Sequence, residues 1–600
     1  MARRRRASVL ALALLLAAGA AGAQPALRAP LTAEVRFADA LTGAPLAQVT
    51  PGVPFAVELA FRAEVGSVPA DLAPLAWVRQ RDDTDLPCAE SAAAYRAAGR
   101  AALGSVDLNG TVLGVVARDG AFTILDPQRS LGSANLLAAR RFQPAPTSIA
   151  ADPRRAEFLL SLPGTGARRG EVVAISAHGA ARVLADGLDR PGALVAARSG
   201  GTWLIERGTG DLLRLGGAGD LRRLPLGARA IAGDGGGEAL PARRVAVLHG
   251  TLMSVLEPDG AVLAQVAAPE ALAVGLTPDA ALWLSPGGLN VLWLDAPAAP
   301  AVLALPGQFD RLAVGPDGRM VYLFAAGRTG FAVLDLARGR VVQGAGTESP
   351  VAEVAFLPDT AVLRLANQSA VGVMDLRTVA PGTEAIVGRV ALGPSRPAAE
   401  TAGARLLVPL TPEPAMLAIH AESYTGFVVD RRNAVSGKPP MEALRLRGGT
   451  PILVQPLDRG LRRVAGDRFQ VSASLPAPGD WELVVSTGIG QGAFCAAVPA
   501  PPAPSQAVSA PGLIQPRPEG TKGLRLVFTR AGGEPASGVR GVVDFATLTG
   551  NWRMRRPFAT DQSGISLESY DLRAHLPVVV TPRPGPGPGA FQPLVIEAMP

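Results

Sequence analysis

The chain has 600 residues, too many for one domain, and the usual size of a domain implies roughly three to five. Fifty-eight basic residues against 51 acidic ones give a formal charge of +7, and Arg3, Arg4, Arg5 and Arg6 account for four of those charges. The remaining +3, spread over so long a chain, gives no electrostatic argument for nucleic-acid binding, which needs a concentrated basic face.

Residues 1–23 read as a secretory signal. The four arginines form the charged start, Val9 to Ala18 a short apolar run, and Ala21-Gly22-Ala23 a small-residue cleavage site. No later stretch reaches ~18 uninterrupted apolar residues, so no transmembrane segment is expected in the mature chain. The expected compartment is the periplasm, where disulfides persist. There are two cysteines, Cys88 and Cys495, and neither has a Cys or His at ligand spacing. An even count in an oxidising compartment points to a Cys88–Cys495 bridge, with a metal ligand or a reactive thiol as the alternative.

From 24 to 87 the alternation in LTAEVRFAD and PFAVELAFRAEV predicts a small immunoglobulin-like β-sandwich, with Trp77 as a core or inter-domain anchor. Asp82, Asp83 and Asp85 lack EF-hand spacing and read as a solvated acidic loop. The Ala-rich segment CAESAAAYRAAGRAA predicts a connecting helix over 88–104.

Repeats then dominate from 105 to 427. The clearest copies are RLAVGPDGRMVYLFAAGRTGFAVLD (311–335) and EVAFLPDTAVLRLANQSAVGVMD (353–375), preceded by LAVGLTPDAALWLSPGGLNVLWLD (272–295). Turn aspartates at 152, 234, 279, 317 and 359 set a period near 41, with a degenerate copy at about 191–215. Units of this size with four strands stack into a propeller, because one unit cannot bury its apolar faces alone. Counting from Thr147 gives seven copies and a seven-bladed β-propeller. The half-repeat at 105–127 is expected to close the ring by pairing with the seventh copy. Gly260, Gly315 and Gly318 with Asp259 and Asp317 read as turn chemistry, and Trp203, Trp283 and Trp293 as core.

Residues 428–499 predict a second β-sandwich, 500–520 a Pro-rich linker, and 521–600 a C-terminal β-sandwich, so the fold class is all-β.

The copies at 311–335 and 353–375 resemble YVTN-type repeats of the cytochrome-d1-like β-propellers, although only LRLANQ keeps the expected asparagine, Asn367. A longer pattern is similar to exported bacterial "cytochrome D1 domain-containing" proteins. It comprises the Cys-led helix, Val106-Asp107-Leu108-Asn109, the repeats, and Gly479-Asp480-Trp481 through Cys495. The resemblance implies a propeller between sandwich modules. It also implies a partner among exported redox proteins, such as a cytochrome or quinoprotein dehydrogenase.

Residues that carry chemistry are scarce. His178, His249, His420 and His575 are isolated, C-x-x-C-H, HExxH and G-x-S-x-G are absent, and the glycines of DGGGE (234–238) lack the GK[ST] of a phosphate loop. No catalytic residue, metal ligand or cofactor is assigned. The expected function is a non-catalytic exported binding or scaffold protein. The alternative is a redox enzyme or a cofactor or metal carrier using the propeller axis.

Overall fold

The computed structural model describes residues 31–81, 86–99, 101–102, 104–128, 135–166, 168–197, 201–216, 220–234, 242–295, 299–393, 403–410, 414–436, 439–488, 492–502, 512–519, 523–530, 532–547, 552–584 and 591–597. The signal at 1–23, the Asp82–Asp85 loop, most of DGGGE, and 503–511 and 520 of the expected Pro-rich linker lie outside these residues. The end of the stretch expected as linker is not linker: Leu513–Glu519 is a strand, held by pairing with Gly523–Thr529. Among the described residues no helix is long and apolar enough to cross a membrane. The chain divides into two compact units, Met1–Pro501 and Pro502–Pro600.

Seven consecutive four-stranded antiparallel blades run from Ser148 to Arg445, numbered here 2 to 8. Blades 6 and 7 share the long strand Arg340–Leu357, whose first half closes one and whose second half opens the other. In each blade the first strand is innermost and touches the first strand or second strand of its neighbour. Middle strands such as Glu157–Leu162 and Val245–His249 are buried along their whole length. Both their faces are covered by adjacent blades, so they read as unbroken apolar runs rather than alternating ones. Outer strands such as Leu221–Leu224 are open to solvent.

The ring has eight blades among the described residues, not seven. The half-repeat does not join the last copy. Its strands Thr111–Ala117, Ala121–Leu125 and Leu136–Arg141 form a blade of their own, and Pro451–Asp458 completes it as the innermost strand. That strand contacts the inner strands of both blade 8 and blade 2, which closes the circle and removes its edges. The sequence reading ended the propeller at 427. Ala443–Arg445, the outer strand of blade 8, and Pro451–Asp458 lie beyond that point.

The two sandwiches expected at 24–87 and 428–499 are one. Leu31–Asp39 and Phe55–Ala63 pair with Arg468–Ala473 and Arg462–Ala465 in one sheet. Leu75–Gln80 and Val106–Asp107 pair with Trp481–Ser486 and Ala493–Val498 in the other. One core holds both layers, including Phe55, Phe61, Val78, Phe469, Trp481 and Leu483. Neither flank alone has enough strands to bury an apolar face, and pairing with the other solves both problems.

The helix covers Cys88–Ala98 and stops where Gly99 takes a left-handed conformation (φ 65°), as helix ends commonly do. It packs on the second sheet through Ala92 and Tyr95, with Tyr95 stacked on Trp77 at 4.4 Å. Cys88 and Cys495 meet in a disulfide across 407 residues, with Cα atoms 5.9 Å apart.

Turn chemistry follows the repeat. Asp317 Oδ1 accepts from the amides of Arg319 (3.0 Å) and Met320 (3.2 Å), and Gly318 takes φ +70°. Asp259 does the same for Ala261, followed by Gly260 at φ +92°. Trp203 and Trp283 are buried, but Trp293 is 41% exposed. It lies past the last pair that its strand makes with Ala301–Leu303, so no outer strand covers it.

In the second unit, Leu513–Glu519 pairs with Gly523–Thr529, and Arg540–Thr547 pairs with Arg553–Ala559 and Val578–Pro584. Leu594–Ile596 completes the four-stranded sheet. Phe528 and Phe558, stacked at 4.6 Å, centre the core between the two sheets.

Candidate functional site

Every inner strand of a blade runs in the same direction, so turns between first and second strands, and between third and fourth, share one face of the disc. The aspartate turns at 152, 279, 317 and 359 lie there. The sandwich docks on this turn face. Arg154 Nη2 donates to Leu41 O (3.2 Å), Arg462 Nη2 to Pro153 O (3.1 Å), and Ser472 Oγ to Arg154 O. Beneath it Arg459 pairs with Asp126 at 3.0 Å, both about 95% buried, and Arg459 Nε donates to Asn109 O. His178 lines a small cavity at this joint with Asp107, Ser176, Ser474 and Arg459. Burial, with the Arg459 charge beside it, pulls its pKa down to about 4.

The opposite face carries the axial mouth. Arg229, Arg311 and Arg405 begin the inner strands of blades 4, 6 and 8. Each reaches a backbone carbonyl on another blade: Ala271 (2.5 Å), Ala352 (3.2 Å) and Ile149 (3.0 Å) respectively. Beside them Glu353 clasps blade 7 to blade 8. It accepts from Arg364 Nε (3.0 Å) and from the amides of Leu406 (2.8 Å) and Leu407 (3.2 Å). Sequence reading singled out none of these four residues. Their one signal is phase: an arginine stands just before the apolar inner strand in ARAIAG, RLAV and ARLLVP.

A cleft on this face lies between blades 7 and 8, lined by Arg364, Asn367, Gln368, His420 and Pro451. Asn367, the repeat asparagine, adopts a left-handed φ of 57° in its turn, which accounts for the residue type there. His420 contacts Ser369 Oγ through Nε2 (3.1 Å) and Ser423 Oγ through Nδ1 (2.8 Å). The pair resembles a nucleophile and its base, but the tautomer is wrong. Nδ1 also accepts from the backbone amide of Ser423 (3.2 Å), a group that can only donate. The neutral ring therefore carries its proton on Nε2 and donates to Ser369, so it has no lone pair there to activate the hydroxyl. His420 caps a short 3₁₀ turn, Ala421–Ser423.

The other histidines are dispersed. His249 bonds Ser254 (2.7 Å) in blade 4, and burial lowers its pKa. His575 stacks on Trp552 at 3.8 Å in the C-terminal unit. Among the described residues no three His, Cys, Asp or Glu side chains group as metal ligands.

Topology defines the class: a closed eight-bladed β-propeller with a composite first blade, and a sandwich built from both flanks mounted on its turn face. No family model and no curated protein matches the chain. Among solved structures it is similar to AztD from Citrobacter koseri, at 12% identity over 58% of this chain and 98% of that one, with a TM-score of 0.43. It is also similar to the dihydro-heme d1 dehydrogenase NirN in complex with DHE, at 14% over 66% and 82%, TM-score 0.46. A streptogramin B lyase follows at 12% over 46% and 89%, TM-score 0.34. Likenesses this distant assign no function.

Proposed function

We propose that the chain is an exported, non-catalytic propeller that works in the periplasm as a binding or scaffold protein. Its partner in this reading is another exported protein, of the cytochrome or quinoprotein dehydrogenase kind. The observation that supports it best is the state of the Ser369–His420 pair. It is the nearest arrangement to a catalytic one on the axial face, and its tautomer is committed to capping a turn. What that face offers instead is a rigid rim with exposed Arg229 and Arg311, the kind of surface that presents loops and charges to another protein.

The test is a visible spectrum and metal analysis of mature protein purified from its native envelope, together with the His420→Ala variant. A colourless, metal-free protein whose cellular phenotype survives His420→Ala is expected. A stoichiometric chromophore or metal would overturn the reading in favour of a redox enzyme or cofactor carrier using the axis.

A further inference from the structure

Among the described residues, the C-terminal unit contains a face that its own fold leaves open. In the four-stranded sheet, alternate residues point into the core: Val543 and Phe545, Phe558, Val578 and Val580, and Ile596. Their neighbours point the other way. Register places Arg540, Val542, Asp544 and Ala546 beside Arg553, Arg555 and Pro557 on one side, and beside Val579, Thr581 and Arg583 on the other. Val595 extends the row from the last strand. This outward face therefore carries four arginines and one acid. Arg555 and Arg583 are 66% and 67% exposed in their side chains, although both hold Asp544 (2.5–3.0 Å and 2.9 Å).

We propose that this face is a docking surface for an acidic patch on a partner protein. The charge balance of +3 on one sheet face selects an anionic partner. The pattern between the charges selects a protein. Val542, Val579, Val595 and Pro557 separate the guanidinium groups with apolar surface, the mixture that protein interfaces favour, and arginine is enriched there. Asp544 at the centre opposes a closely spaced run of phosphates, which would bring negative charge onto it whether the phosphates came from nucleic acid or lipid headgroups. The aspartate also fixes two guanidinium planes before any partner arrives, which lowers the ordering cost of binding. The proposal concerns a different surface from the axial face and stands whichever reading of the propeller holds.

The experiment uses the full mature chain and poly-L-glutamate as the probe, with phosphatidylglycerol vesicles as the competing anion, at low and high salt. The informative variant is Arg540→Glu with Arg553→Glu, which reverses two charges on the face and leaves the Asp544 pairs in place. Arg517→Glu with Arg530→Glu makes the same change of net charge on the other sheet. Saturable, salt-sensitive binding of poly-glutamate is expected, weakened roughly tenfold or more by the first pair and no more than about threefold by the second. Arg540→Gln with Arg553→Gln, which adds no repulsion within the sheet, should fall between wild type and the reversed pair. Equal losses in the two reversed pairs, no binding at all, or binding of the vesicles without the peptide would each overturn the proposal.

Discussion

Blades 2 to 8 and the region formed by blade 1 with the sandwich are assembled by opposite rules. Each contiguous blade pairs strands a few residues apart, so local turns set its register and each blade needs only its neighbours to complete its core. Blade 1 and the sandwich join residues more than 300 positions apart, through Pro451–Asp458 on Thr111–Ala117 and Arg468–Ala473 on Phe55–Ala60. Such contacts gain nothing until most of the chain is in place, so this region depends on long-range fasteners more than the regular blades do, among which the bond from Arg405 to Ile149 O is of that kind. Arg459–Asp126, the Cys88–Cys495 bridge and the polar joint around His178 are those fasteners.

The comparison is tested hardest at Arg459. Arg459→Met removes one partner of a buried ion pair, at a cost of up to about 3–5 kcal/mol. Adding Asp126→Asn should recover part of the loss, since it removes the buried charge that Arg459 balanced. Urea unfolding followed by the near-UV signal of Trp77 and Trp481 would report this transition. A single variant within ~0.5 kcal/mol of wild type would mean that the pair fastens nothing.

The bridge comes next. Cys88→Ser with Cys495→Ser should lower the stability of the sandwich by roughly 2–4 kcal/mol, with blades 4 to 6 unaffected by hydrogen exchange. Loss spreading evenly through the ring would erase the distinction between the two regions.

His178 gives the joint a pH dependence with a definite sign. Its folded pKa lies below that of an unfolded histidine, so its contribution is fully present above about pH 6.5 and is lost as pH falls toward about 4. The full shift corresponds to at most on the order of 3 kcal/mol, reduced because part of the ring stays hydrated. His178→Gln should flatten the stability curve across that window. Burial pushes the carboxyls of Asp152 and Glu157 up, which acts in the opposite sense, but both are unchanged in the variant. The difference between the two curves therefore isolates the histidine.

The same division decides what could be read from sequence. The blades were legible because their information is local: an aspartate in a tight turn, a glycine at positive φ, an apolar run on each side. Seven contiguous copies from Thr147 are all present. Ring size was not legible, because it depends on whether the half-repeat finds a partner in blade 8 or in the strand that starts at Pro451, 451 − 127 = 324 residues beyond its own end, and no periodicity encodes that choice. The two flanks each alternate like a sandwich, and alternation says which face is buried without saying against what. The axial residues were hidden for another reason. Glu353 and Arg364 are ordinary charged residues in a repeat, and only the approach of Leu406 and Leu407 gives them a role. The Cys88–Cys495 pairing was accessible because two cysteines in a chain expected to be exported have one intramolecular answer.

The smallest effect belongs to the local side of the comparison. Asp317→Ala removes the acceptor for two backbone amides in the turn of blade 6, and with them about 1 kcal/mol. Asp317→Asn keeps a side-chain oxygen in the same place and should cost little, because the turn needs an acceptor rather than a charge. In both variants faster hydrogen exchange should be confined to Arg311–Asp335 and leave the sandwich unchanged. If Asp317→Ala instead loosened the sandwich as much as Arg459→Met does, the blades would be one cooperative body with blade 1, and locality would describe the sequence but not the folding energy.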